Sequence, residues 1–141
     1  MPELILAAIL TAALVASPAV AGETLLGDNR LYAEAVEAIQ TAVAEDDGET
    51  LALYIPYGEP ININGEERVF ESEQDFHAAY DEIMTPEIKA AVVEQRYEDM
   101  FVNSEGVMFG NGQMWISGIC RDDACAQFDV RIITIQSTAA N

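Results

Sequence analysis

Two cysteines, one histidine and a large excess of carboxylates make up most of the reactive chemistry in this sequence of 141 residues. Cys120 and Cys125 flank the turn-like stretch Arg121-Asp122-Asp123-Ala124. In an exported chain, which the N-terminus below indicates, such a pair reads as a structural disulfide. Opposed strand positions have about the right Cα separation for one. A redox-active pair would want C-x-x-C spacing and a helix N-terminus to lower a thiol pKa. Zinc needs more Cys or His ligands than the chain holds, so neither a metal nor a cofactor is expected. His77 stands four residues from both Glu73 and Asp81, along one helical stripe. A metal or acid/base role is the functional alternative there, but its place beside Phe76 and Tyr80 predicts a solvated row of ion pairs on a helix flank. No nucleophile elbow accompanies it and no phosphate-binding glycine loop exists, so no catalytic residue is assigned. Tyr54, Tyr57, Asn103 and Trp115 remain as ligand-pocket candidates, with Asp99 and Asp129 nearby on strand-like segments.

The elements that would position these residues follow from patterning. Leu4 to Val15 is almost wholly apolar and is followed by Ser17-Pro18 and Ala19-Val20-Ala21. This is a short export signal with an A-x-A cleavage site, so residues 1–21 are expected to be removed. The mature domain, 22–141, is then one domain, periplasmic or secreted, with no membrane contact after cleavage. It carries 24 acidic against 6 basic residues, a net charge of −18. Such a surface repels nucleic acid and anionic lipid. A helix is predicted over Asn29 to Asp46, ending at Gly48. Glu45-Asp46-Asp47 lacks the ligand spacing of a calcium loop. Leu51, Leu53, Ile55 and Tyr57 alternate like a strand, and Asn64-Gly65 marks a small hairpin. Ser72-Glu73-Gln74-Asp75 is a capping box ahead of a second amphipathic helix. Thr85-Pro86 ends that helix and starts a third.

The rest is strand-like, centred on Asn111-Gly112, which suits a two-residue type I′ turn. Its register sets Val107 opposite Ile116, Met108 opposite Trp115 and Phe109 opposite Met114. Ser104-Glu105-Gly106 reads as a bulge or kink, and Ile132-Ile133 as a second bulge. Pairing Cys120 with Cys125 puts Trp115, Phe128, Val130 and Ile132 on one face, taken as the main core under the helices. Val107, Phe109, Met114 and Ile116 then form the other face, with Asp129 and Arg131 at its border, and either a second molecule covers it or the sheet curls enough to bury it within the monomer.

The order is α+β: an N-terminal helix, a short hairpin, two helices and a curled antiparallel meander. Ile61 to Gly65, Phe76…Tyr80-Asp81…Ile83, Thr85-Pro86…Ile88-Lys89, Phe101-Val102-Asn103…Gly106-Val107-Met108…Gly110-Asn111-Gly112…Trp115 and Ile132 to Ile135 carry a resemblance. Over about residues 50–136 the chain resembles small exported bacterial proteins with the cystatin-like, nuclear-transport-factor-like cone. The resemblance implies a homodimer paired through the sheets. Isomerases and dehydratases on this cone use Asp, Tyr or His in the pocket, and no such residue maps onto a matching position here. The expected function is therefore a non-catalytic domain that binds a small apolar ligand or a protein partner. The alternatives are a small isomerase- or dehydratase-type enzyme with a cone pocket, and an inhibitor or immunity-type protein capturing a basic protein.

Overall fold

The computed structural model describes residues 29–137. The expected signal peptide and its cleavage site lie outside the described residues. Among these residues there are four α-helices and one six-stranded mixed sheet. Helix α1 spans Asn29–Ala44 and α2 spans Gly48–Ala52. Strands β1, Pro60–Ile63, and β2, Glu66–Val69, form the small hairpin. Helices α3, Glu73–Ile83, and α4, Pro86–Glu94, follow. Strands β3, Phe101–Asn103, β4, Gly106–Phe109, β5, Met114–Cys120, and β6, Phe128–Ile135, complete the sheet. The strand order is β2-β1-β6-β5-β4-β3. All neighbours are antiparallel except β1 and β6, which pair in parallel. No described helix is long and apolar enough to cross a membrane.

Local chemistry accounts for most of the boundaries. Ser72 caps α3 by accepting from the Asp75 N–H, and Thr85 caps α4 by accepting from Ile88 with Pro86 in the first turn. Each cap satisfies a backbone donor that has no partner within its helix. Asn64 and Gly65, at φ 53° and 87°, make the tight turn of the first hairpin. Buried Tyr32, Val36, Ile39 and Val43 line α1, and Phe76, Tyr80 and Ile83 line α3. They close on Val107, Phe109, Met114, Ile116, Val130, Ile132 and Ile135 of the sheet. Most of these sheet residues are fully buried, which is the main apolar stabilisation of the fold.

Four expectations are corrected. The Leu51–Tyr57 stretch is not a strand. Asp47 accepts from the Thr50 N–H and starts α2, so that Leu51, Ala52 and Ile55 turn inward at helical spacing while Leu53 stays 55% exposed. The four C-terminal strands form the expected antiparallel meander, and the small hairpin joins it with β1 parallel to β6, which makes the sheet mixed. Ser104-Glu105 is the loop of a tight hairpin, with Asn103 paired to Gly106, and not a bulge. In the central turn the positive φ angles fall on Gly110 and Gly112 rather than on Asn111 and Gly112.

Fourth, the two faces of the sheet are exchanged. Cys120 pairs with Phe128, not Cys125, so Val130 lies opposite Gly118 and Ile132 opposite Ile116. That is three residues away from the expected register, and an odd shift exchanges the two faces of a strand. Val107, Phe109, Met114 and Ile116 are therefore the core under the helices, not a face awaiting a second molecule. Trp115 is only half-buried and belongs to the other side. The bulge at Ile132-Ile133 is present: the register jumps between Trp115 and Ile116, and the Ile132 N–H donates to the Tyr54 carbonyl at 2.7 Å.

Candidate binding face

With the core assigned, a row of side chains crosses the outer face of the sheet. Glu67, Asn62, Thr134, Trp115, Met108 and Phe101 are consecutive cross-strand partners on β2, β1, β6, β5, β4 and β3. None of the six is buried. Phe101 is 53% exposed and meets Trp115 edge-on, with ring centroids 6.3 Å apart and planes at 86°. Val69 and Ile119, also exposed, fall on the same side by strand alternation. Trp115 lies in a groove of about 490 Å³ with Asn62, Glu105, Ile133, Thr134 and Gln136.

The polar groups of this groove are already oriented. Asn62 accepts from the Gly65 N–H through Oδ1 at 2.8 Å, which leaves its amide nitrogen to donate. Gln136 donates through Nε2 to the Gly112 carbonyl at 2.7 Å, which leaves Oε1 to accept. Glu105 is placed by Asn103, whose Oδ1 accepts from the Glu105 and Gly106 N–H groups at 2.8 and 3.2 Å. Gly106 is required behind it. Its φ is 150°, and a Cβ there would come within 2.2 Å of the Ile116 carbonyl oxygen.

The four pocket candidates are held in separate places. Trp115 is in the outer groove, with Asn103 at its edge only through the turn that carries Glu105. Tyr57 donates its hydroxyl to the Ala52 carbonyl at 2.5 Å, and burial, followed by the nearby Glu73 charge, pushes its pKa up to about 12. Tyr54 lines a different groove, of about 180 Å³, with Phe128, Asp129, Arg121 and Arg131. There Arg121 grips Asp129 with two hydrogen bonds and Arg131 approaches it at 3.7 Å. The Arg121 hydrogen bond holds the Asp129 carboxyl below its usual range. This is a satisfied ion pair closing the end of β5 and β6. Beside it Cys120 and Cys125 form the expected disulfide, with Cα atoms 4.8 Å apart. They are not the opposed strand pair inferred for them, since Cys125 lies in the loop at φ 52°.

His77 shares a groove of about 280 Å³ with Glu49 of α2 and Glu73 and Gln74 of α3. Among the described residues, no three His, Cys, Asp or Glu groups are arranged to hold a metal ion. Two polar devices had no signal in the sequence. Gln40 of α1 donates to the Val92 and Gln95 carbonyls at 3.0 and 2.6 Å, while Gln95 and Gln113 accept from the Gly110 and Asn111 N–H groups. This chain ties the central turn to the helices. Lys89 pairs with Asp46 at 2.7 Å, and Tyr80 donates to the same carboxylate. Both link residues dozens of positions apart, beyond any local pattern.

The chain matches no protein-family model, no curated protein and no solved structure.

Proposed function

We propose that the chain is an exported, non-catalytic binding domain on a nuclear-transport-factor-like cone, and that it engages its partner through the outer face of the sheet. The observation that carries the reading is the row Trp115, Met108 and Phe101, kept out of the core while the opposite face is filled by Phe109, Met114 and Ile116. An apolar stripe bordered by Asn62, Thr134, Gln136 and Glu105 has the composition of an association surface. The disulfide fits an extracytoplasmic address. The isomerase-type alternative has less support, since Tyr57 is bonded to the Ala52 carbonyl, Tyr54 lines a separate groove, and the Asp129 beside Tyr54 is held by Arg121.

Native mass spectrometry of the protein recovered from its own periplasm tests the reading. The wild type should retain a ligand, a partner protein or a second copy of itself. Phe101→Asp should lose that species while keeping its circular dichroism spectrum. Retention of the same species by a folded Phe101→Asp protein would place the contact elsewhere.

A further inference from the structure

We propose that the groove at Trp115 receives a basic polypeptide, one of whose arginine or lysine side chains lies on the indole with its cationic head toward Glu105. This deepens the binding-face reading and rests on it. The groove supplies one aromatic face, one carboxylate and the carbonyl oxygen of Gln136, and none of its six lining residues is basic. An indole attracts a cation through its ring quadrupole, and Glu105 and Gln136 can accept the hydrogen bonds of a guanidinium or ammonium group. An apolar ligand would leave Glu105 and the amides desolvated without partners. An anion would meet the Glu105 carboxylate and the charge of the whole chain.

The chain's own cations are already engaged. Arg68 reaches Glu82 and lies over the Phe70 ring, Lys89 is held by Asp46, and Arg96 faces Glu98 and Asp99. Arg121 and Arg131, at the other end of the outer face, share Asp129, and Arg30 is engaged as well. The net charge of −18 on residues 22–141 is left for cations from outside. Such a field raises the encounter rate with a basic partner, while screening over about 8 Å at physiological salt leaves selection to local contacts. A polypeptide fits better than a small cation. Outside the groove the same face also exposes Phe101, Val69 and Ile119, on β3, β2 and β5, a spread wider than a small cation could cover.

Trp115 is the single tryptophan, so its emission reports on this groove alone. Titration of the full domain with a hexa-arginine peptide at low salt should shift that emission saturably, with an affinity that falls as salt rises. Glu105→Gln should weaken binding on the order of tenfold, the range of one charge contact near 1.4 kcal/mol. Glu37→Gln, on α1 in a different acidic groove, should stay within about twofold of wild type. No emission shift with the peptide would overturn the proposal, as would equal losses in the Glu105 and Glu37 variants, which would mean diffuse attraction. An emission shift with octyl glucoside but not with the peptide would overturn the cation while leaving the binding face standing.

Discussion

Asp46 stands at φ 52° where the chain leaves α1, a conformation that Asp tolerates better than most residues. Its carboxylate receives Lys89 at 2.7 Å and the Tyr80 hydroxyl at 3.2 Å, and the Lys89 ammonium lies 5.5 Å from the centre of the Tyr80 ring. The Lys89 hydrogen bond, followed by that of Tyr80, holds the Asp46 carboxyl below its usual range. Its contribution is present above the unfolded carboxylate pKa and is lost as pH falls through the lower folded value. Tyr80 behaves in the opposite sense. Burial, followed by the Asp46 hydrogen bond, pushes its pKa from 10.0 up to about 12. Its contribution is full below pH 10 and disappears as pH rises toward 12. Urea midpoints measured across that alkaline range should therefore fall less steeply in Tyr80→Phe than in the wild type, with Tyr57 and Tyr32, both also raised by burial, supplying the remaining slope. An unchanged slope would remove Tyr80 from the account. None of this was legible in the sequence, which showed Lys89 only as a residue near the start of the third helix. The capping residues Ser72 and Thr85 were legible, because a cap and its donor lie within three residues.

At the scale of elements, the segment after α1 shows why short apolar runs mislead. Leu51, Leu53, Ile55 and Tyr57 fit a period of two, but Leu51, Ala52 and Ile55 fit a helical turn equally well, and five residues cannot decide between them. The cap decides it. Asp47 accepts from Thr50 through both its backbone N–H and its hydroxyl, at 3.1 and 2.5 Å. The two readings differ most at Leu53, which a strand would bury with Leu51. Chemical denaturation should show a loss of about 2–5 kcal/mol for Leu51→Ala and under about 0.5 kcal/mol for Leu53→Ser. Equal losses would restore the strand. The hairpin around Gly112 behaved differently, because alternation over both arms fixed its register even though the turn itself took other φ angles.

For the molecule as a whole, the hairpin register did not settle which face is core. Both faces of β4 and β5 are apolar, so the decision fell to the pairing of β6. The cysteines suggested a four-residue turn where the chain makes a longer loop, Arg121 to Gln127. A slip of three residues in that one pairing moved Phe128 and Val130 from the Trp115 side to the Ile116 side. Gly118 is the trace the slip left in the sequence. It stands opposite Val130, and a Cβ there would come within 2.7 Å of the Phe128 ring and 2.8 Å of the Tyr32 hydroxyl, so α1 can approach β5 only at a glycine. The outer groove depends on this register, because a buried Trp115 would leave no groove there to bind anything. The most direct test is the unfolding free energy of two variants followed by circular dichroism. Phe109→Ala should lose about 3–5 kcal/mol, as for a fully buried aromatic. Trp115→Ala should lose clearly less, in keeping with a ring that is only partly buried. A larger loss for Trp115→Ala than for Phe109→Ala would return Trp115 to the core and contradict the account.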